Sequence, residues 1–164
     1  MNVVYTLLKA PPGPLLLAET KDGLLFIEFG DDLERLEAFA RRRLDEPRLK
    51  RGQVAAAAQV KEYLAGQRRT FDLPLVLMGT DFQKRVWKAM SRIPYGRTRT
   101  YGQLARQVGR PAAARAIGAA CAANPVPLVV PCHRVVGQNG ALTGFGGGLA
   151  WKQWLLDLET GAAG

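Results

Sequence analysis

The segment at residues 124–136, Asn-Pro-Val-Pro-Leu-Val-Val-Pro-Cys-His-Arg-Val-Val, constrains the fold of this chain more than any other stretch. Its three prolines supply no backbone N–H and disfavour a helix, so the segment must be extended or turned. The apolar residues on both sides predict buried strand at 128–130 and 135–136. Cys132 and His133, the only histidine of the chain, would then share a rigid apolar support.

Cys132 is the candidate nucleophile of this segment. A thiol becomes strongly nucleophilic when a base or a positive charge lowers its pKa from roughly 8.5, and both His133 and Arg134 are candidates for that role. The alternative is that Cys132 is a small buried apolar residue, as most cysteines of intracellular proteins are. The adjacent histidine and the proline frame favour the nucleophile. Cys121, in an alanine-rich stretch, has no such neighbours and is interpreted as a packing residue.

The composition excludes several classes of protein. Two cysteines and one histidine in 164 residues do not support a disulfide scaffold or the usual zinc site, so no metal is expected. The cysteine usage favours a reducing, cytoplasmic location. No apolar run approaches the roughly 18 residues that a membrane span needs, and the first residues lack the order of a signal peptide. We therefore expect a cytoplasmic protein with no membrane contact.

The positive charge is concentrated in one part of the chain. Of the formal net charge of +9, residues 81–115 carry +8, from nine basic side chains and Asp81 alone. A charged run is usually a solvated face. A block this one-sided, directly before the Cys132 segment, favours a polyanionic partner such as nucleic acid.

The first half of the chain predicts a small α+β unit without visible chemistry. Turn residues separate strand-like runs at 3–9, 15–20 and 24–29, which predict a short antiparallel meander. Asp31 and Asp32 can cap a helix that extends to Leu44, and a second helix is expected from about Val54 to Ala65.

The second half predicts a helix-turn-helix followed by a wing. Thr80 and Thr100 each precede a glutamine by three residues, which is the capping-box pattern of a helix start. The second of these helices is short and is followed by another at 112–122, whereas 128–145 would form the stranded wing. A final helix is expected at 149–159. The sequence thus predicts an α+β fold: an antiparallel-sheet-plus-helix domain at 1–78 and a winged helix-turn-helix domain at 79–164.

The second helix of the pair is unusual for one that reads base edges. Such helices carry several long polar side chains, whereas this one is almost entirely alanine and glycine, with Arg115 as its one long side chain. One interpretation is a buried helix chosen for close packing. The other is a smooth helix that approaches the minor groove without reading sequence, with Arg115 reaching into the base stack.

The segment at 124–136 closely resembles the active-site segment of the O6-alkylguanine-DNA alkyltransferases, in which Pro-Cys-His-Arg-Val carries the alkyl-accepting cysteine. The resemblance extends over most of residues 79–164. It implies irreversible transfer of a methyl or small alkyl group from O6 of guanine, and from O4 of thymine, in double-stranded DNA to Cys132. Because the acceptor is consumed, the protein would act once, without a cofactor and as a monomer in solution, with room for several copies along one duplex.

The resemblance also implies roles for individual residues. His133 would take the thiol proton through a water relay, and Glu159 would orient the imidazole. Asn124 would join this hydrogen-bond network, and Tyr101 would donate to the departing guanine and contact the DNA backbone. Arg115 would fill the gap left by the flipped nucleotide. The remaining DNA-contacting positions would be Ala112, Ala113, Ala114 and Gly118, and the pocket would be lined by Pro127, Cys132, Val135, Phe145, Gly146, Gly147 and Trp87 or nearby apolar groups.

Two departures and two alternatives accompany this resemblance. Many members carry Tyr-Ser where this chain has Phe145-Gly146, which removes one possible hydrogen bond to the guanine oxygen. The cysteine-rich N-terminal extension of adaptive-response regulators is missing, so phosphotriester repair and transcription control are not expected. A non-catalytic, lesion-sensing DNA-binding module is the main alternative, although Cys132 argues against it. A cysteine hydrolase lacks a supporting oxyanion-hole pattern.

Overall fold

The computed structural model describes residues 1–161. The chain divides into two compact units between Met78 and Gly79. The first unit holds a four-stranded sheet with helices, and the second is mainly helical around one short strand pair, so the predicted α+β class is confirmed. Among the described residues, no helix combines the length and apolarity that crossing a membrane requires.

The sheet of the first unit contains the predicted meander and one strand more. Strands β1 (Asn2–Ala10), β2 (Gly13–Thr20) and β3 (Gly23–Phe29) pair antiparallel, which confirms the predicted meander. Strand β4 (Arg48–Arg51) pairs parallel to β1 and gives the order β3-β2-β1-β4. β4 was not predicted, because Arg-Leu-Lys-Arg carries little of the apolar alternation that marks a strand.

Two helices accompany the sheet. Helix α1 (Leu33–Arg43) begins at the predicted cap, where the Asp32 carboxylate accepts from the backbone N–H of Glu34 at 3.0 Å. Helix α2 (Ala57–Leu64) starts later than predicted and is followed by Gly66, whose φ of 75° suits the C-terminal end of a helix. Buried side chains of the sheet and of α1 form the core of the unit: Val3, Leu16, Ala18, Leu25, Phe26 and Leu36.

The second unit is built from four helices. They are α3 (Asp81–Ser91), α4 (Tyr101–Gln107), α5 (Ala114–Ala122) and α6 (Leu149–Thr160). Both predicted capping boxes form, at Thr80 for α3 and at Thr100 for α4. Helices α4 and α5 make the expected helix-turn-helix. Because Pro111 and Ala112 form the connecting turn, α5 begins two residues later than predicted, at Ala114.

The structure corrects the prediction for the strand before Cys132. Residues 127–130 form a turn instead of a strand, in which the Val130 N–H donates to Val126 O at 3.0 Å and Leu128 takes a positive φ of 74°. The prolines at 127 and 131 explain the difference, since neither can donate to a sheet ladder. Cys132–Arg134 form one 3-10 turn, and only β6 (Val135–Val136) is strand.

The second predicted strand of the wing, at 141–145, is also absent from the described residues. Strand β6 pairs parallel with β5 (Arg99–Thr100) instead of with residues 141–145. The 137–148 loop contains a short 3-10 turn at Gln138–Gly140 and otherwise irregular backbone. Six of its twelve residues are glycines, which favour irregular backbone over strand pairing. The wing is therefore a loop that leads from β6 to α6.

Candidate active site

Cys132 lies in the 3-10 turn, and only 9% of its surface is exposed. Asn124 supports this turn from the end of α5. Its side-chain amide donates to Val130 O at 2.8 Å and its side-chain carbonyl accepts from the Val126 N–H at 3.0 Å. The same side chain also hydrogen-bonds the thiol. Asn124 therefore fixes both the backbone that carries Cys132 and the position of its sulfur.

His133 is completely buried against the last turn of α6. Its Nε2 lies 2.7 Å from Oε2 of Glu159, which is itself 7% exposed. An ionised Glu159 requires the hydrogen on Nε2, and this leaves Nδ1 as the nitrogen that can accept a proton. Burial lowers the pKa of His133, although Glu159 opposes this shift. The imidazole is therefore neutral at pH 7, as a general base must be.

Glu159 is held by more than the histidine. The guanidinium of Arg134 makes a two-pronged contact with it, Nε to Oε1 and Nη2 to Oε2, both at 2.8 Å. The backbone N–H of Gly96 donates to Oε1 at 3.2 Å. Gly96 has a φ of 78°, and a Cβ at this position would lie 3.2 Å from the backbone oxygen of Glu159, so glycine is required here. The charge of Glu159 is thus balanced by Arg134, which explains why burial dominates the pKa of His133.

The cation that influences the thiol is Lys152, which was not singled out from the sequence. Arg134, one of the two candidates for that role, points to Glu159 and to Ile93 O instead. Lys152 of α6 is 1% exposed, and its Nζ donates to the backbone oxygen of Thr143 at 3.2 Å. A sequence signal did exist: Lys152 precedes Glu159 by seven residues, which places both on one face of a helix.

The environment of Cys132 keeps its thiol protonated at neutral pH. Burial raises the pKa of Cys132 to about 11, whereas the hydrogen bond with Asn124 and the charge of Lys152 lower it. Free thiolate is therefore scarce, contrary to the lowered pKa that the sequence favoured. Nucleophilic attack from this position requires removal of the proton as the new bond forms, which makes a neighbouring base necessary.

Tyr101, the first residue of α4, is half-buried near this site. Its phenol oxygen accepts a hydrogen bond from the hydroxyl of Thr143, at 2.9 Å. Burial raises the pKa of Tyr101, and the hydrogen bond from Thr143 opposes that shift. Tyr101 is therefore a protonated phenol, able to donate its own hydrogen. Thr143 was not singled out from the sequence, because only the fold brings the two residues together across 42 positions.

Helix α5 presents a smooth face. Ile117 and Ala120 are buried, whereas Arg115 and the alanines on its outer side are exposed. The interpretation of α5 as a fully buried helix is therefore wrong. Trp87 of α3 is 1% exposed and donates from its indole Nε1 to Ala120 O at 2.8 Å, so it anchors α5 from the core and does not line an open pocket.

The other predicted positions fall into three groups. Around the turn before α5 and on α5 itself, Ala112 and Ala114 are exposed, whereas Ala113 and Gly118 are half-buried. Pro127 and Val135 are buried. In the 137–148 loop, Phe145 and Gly147 are half-buried and Gly146 is exposed. Cys121 packs its sulfur 3.4 Å from that of Met90, and burial raises its pKa to about 12, as suits a packing residue.

The fold and the site together define a class: helix-turn-helix proteins in which a buried cysteine precedes a buried His-Arg-Glu network. Comparison with known proteins gives the family. A family model for the 6-O-methylguanine DNA methyltransferase, DNA binding domain, matches residues 81–161, and one for the ribonuclease-like domain of the same proteins matches residues 3–77. The chain belongs to the 6-O-methylguanine DNA methyltransferase family.

Individual relatives agree with this assignment. A methylated-DNA--protein-cysteine methyltransferase of Methanosarcina acetivorans is 43% identical over 94% of this chain and 97% of its own length. An inducible protein of the same name from Bacillus subtilis is 41% identical, with 99% and 93% covered. The crystal structure of Mycobacterium tuberculosis O6-methylguanine methyltransferase has a TM-score of 0.82 and 43% identity, with 99% and 95% covered. A structure of the M. tuberculosis protein in complex with DNA has the same TM-score at 42% identity, with 99% and 95% covered.

Proposed function

We propose that this chain is a methylated-DNA–protein-cysteine methyltransferase that repairs DNA by direct reversal. It transfers a methyl or small alkyl group from O6 of guanine, and from O4 of thymine, to the sulfur of Cys132. The observation that carries the proposal is the buried His133–Glu159 pair, at 2.7 Å, next to a cysteine in the turn that Asn124 fixes. Because the thioether product is stable, each molecule reacts once.

The nucleophilic half of the reaction uses Cys132, His133 and Glu159. Nδ1 of His133 accepts the thiol proton through a water relay, while Glu159 stabilises the imidazolium that forms. As the proton leaves, the sulfur attacks the alkyl carbon. The buried thiol, with a pKa of about 11, makes this coupling necessary. Arg134 keeps Glu159 ionised and in place throughout.

The other half of the reaction is the departure of the purine. A thiol held in the interior of a folded protein cannot reach O6 inside a duplex, so the nucleotide must be flipped out. The exposed alanine face of α5 suits a close approach to the minor groove, and Arg115 is the side chain that enters the stack in place of the flipped nucleotide. Tyr101 then donates its phenol hydrogen to the guanine and makes it a better leaving group.

The partner is double-stranded DNA that contains O6-alkylguanine, bound mainly through its phosphates by a monomer, with space for further copies along the duplex. Residues 79–164 form the alkyltransferase domain, since every residue of the candidate site lies there, and 1–78 form a separate N-terminal domain. A reducing cytoplasm keeps Cys132 as a thiol.

The proposal is tested by intact-protein and peptide mass spectrometry after incubation with duplex DNA that contains one O6-methylguanine. The expected result is one added methyl group on the peptide with Cys132. Cys132→Ala should show no addition, whereas Cys121→Ala, the matched control, should react like the unmodified chain. If the mass stays unchanged while the protein binds the lesion, the lesion-sensing module replaces the transferase.

A further inference from the structure

Thr143 connects three parts of the candidate site. Its hydroxyl donates to the phenol oxygen of Tyr101 at 2.9 Å, and its backbone oxygen accepts from Nζ of Lys152 at 3.2 Å. Tyr101 begins α4, Lys152 belongs to the first turn of α6, and Thr143 lies in the 137–148 loop between β6 and α6. The loop is thereby fastened to both helices at a single residue.

The direction of the bond between the two hydroxyls has a chemical consequence. A phenol has one hydrogen to donate, and its oxygen can accept at the same time. When Thr143 supplies the hydrogen between them, as it must once the phenol gives up its own, the phenol hydrogen of Tyr101 is available for another acceptor. Within residues 1–161, Tyr101 makes no second hydrogen bond that would use it.

We propose that Thr143 is a positioning residue for Tyr101, one that turns the phenol hydrogen towards the departing purine and stabilises the phenol oxygen when that hydrogen is given up. This inference rests on the proposed function and deepens it. It assigns to the 137–148 loop a part in the departure of the purine, whereas Asn124, His133 and Glu159 act on the thiol.

The sulfur of Cys132 forms a bond to the alkyl carbon, and the carbon–O6 bond breaks with its electron pair passing to the guanine. The thiol proton goes to His133, and the guanine receives a proton from Tyr101. The oxygen of Tyr101 gains negative charge, which the hydrogen bond from Thr143 stabilises, until water returns a proton. A hydrogen bond to an oxygen that becomes charged contributes more than one between neutral groups.

A double-mutant cycle tests this assignment. Thr143→Val keeps the shape of the side chain and removes the hydroxyl, and we expect methyl transfer from O6-methylguanine DNA to slow about tenfold. Thr143→Ser restores the donor and should restore the rate. Because Thr143 acts through the phenol, Thr143→Val should slow transfer no further in a Tyr101→Phe background.

Two controls separate this role from a merely structural one. Alkylation of Cys132 by iodoacetamide, in which no purine departs, should proceed at the same rate with Thr143→Val. Thr70→Val, at an exposed threonine of the N-terminal unit, makes the same chemical change and should leave transfer unchanged.

These experiments distinguish failure of the Thr143 assignment from failure of the proposed function. If the unmodified chain gains no methyl on Cys132, the proposed function itself is wrong. If it does react, the assignment of Thr143 is overturned by unchanged transfer in Thr143→Val, by equal slowing in the Tyr101 and Tyr101→Phe backgrounds, or by loss of iodoacetamide reactivity. Each of these results would show that Thr143 does not act on the departing purine through Tyr101.

Discussion

At the scale of single residues, the site combines a buried thiol with a buried ammonium group. The side chain of Lys152 is 1% exposed, and no carboxylate of the described residues lies within ion-pair distance of it. Burial lowers the pKa of Lys152, and the nearby thiols Cys132 and Cys121 oppose this shift because their charged forms would stabilise the ammonium. A thiolate at Cys132 is thus an anion that the positive charge of Lys152 would stabilise.

This pairing gives a prediction about pH. The charge of Lys152 lowers the pKa of Cys132, so Lys152→Met should raise that pKa further above about 11. A pKa higher by one unit leaves about tenfold less thiolate at any pH well below the pKa. We expect the rate of iodoacetamide alkylation of Cys132, measured between about pH 7 and 9, to fall by that factor at every pH.

One control for this prediction keeps the positive charge at position 152, and the other removes a positive charge elsewhere. Lys152→Arg retains the positive charge and should keep most of the reactivity. Lys61→Met, on an exposed side chain of α2, should have no effect. An unchanged rate in Lys152→Met, with the protein folded by circular dichroism, would contradict the electrostatic role.

At the scale of elements, the position of Tyr101 depends on how α4 begins. The Thr100 hydroxyl accepts from the N–H of Gln103 at 3.1 Å, and the Gln103 side chain accepts from the N–H of Thr100 at 2.8 Å. Tyr101 is the next residue after the cap, so its backbone direction is set by these two bonds. Helix α3 has the same arrangement at Thr80 and Gln83, but it carries no proposed catalytic group.

The two capping boxes provide a matched pair of variants. Thr100→Ala and Thr80→Ala should each lower the free energy of unfolding by about 1 kcal/mol, because each removes one N-cap hydrogen bond. Methyl transfer should slow in Thr100→Ala alone, since only that cap orients Tyr101. Urea denaturation and single-turnover transfer rates measure the two effects. Equal transfer rates in both variants would show that the cap of α4 does not set the geometry of Tyr101.

At the scale of the whole molecule, charge is distributed unevenly between the two units. Residues 81–115 carry a net charge of +8 of the total of +9. Most of these basic residues are exposed, and Arg115 lies on the smooth face of α5. Contacts with phosphates release counterions, so binding that depends on them weakens as salt increases.

The corresponding prediction concerns the salt dependence of DNA binding. With six phosphate contacts, affinity for duplex DNA should fall about a thousandfold between roughly 50 and 200 mM salt. Fluorescence anisotropy with a labelled duplex measures this slope. Arg42→Ala, at an exposed arginine of α1 in the N-terminal unit, should leave the slope unchanged. A flat salt profile for the unmodified chain would contradict the assignment of 81–115 as the DNA-binding surface.

The sequence by itself determined the features that depend on neighbouring residues. The capping boxes at Thr80 and Thr100, the meander of β1 to β3 and the helix-turn-helix followed from local spacing, and the family followed from the Pro-Cys-His-Arg-Val segment. The strands predicted at 128–130 and 141–145 were wrong, because apolar residues alone do not show whether prolines and glycines permit pairing with another strand.

Only the tertiary structure decided which distant side chains meet. His133 and Glu159 lie 26 residues apart, and Tyr101 and Thr143 lie 42 apart, yet each pair is within hydrogen-bond distance. The same packing directed Arg134 to Glu159 and placed Lys152 as the cation near the thiol. Local sequence fixes the backbone of each element through short-range hydrogen bonds, whereas the charge around Cys132 is set by which helix faces pack against its turn.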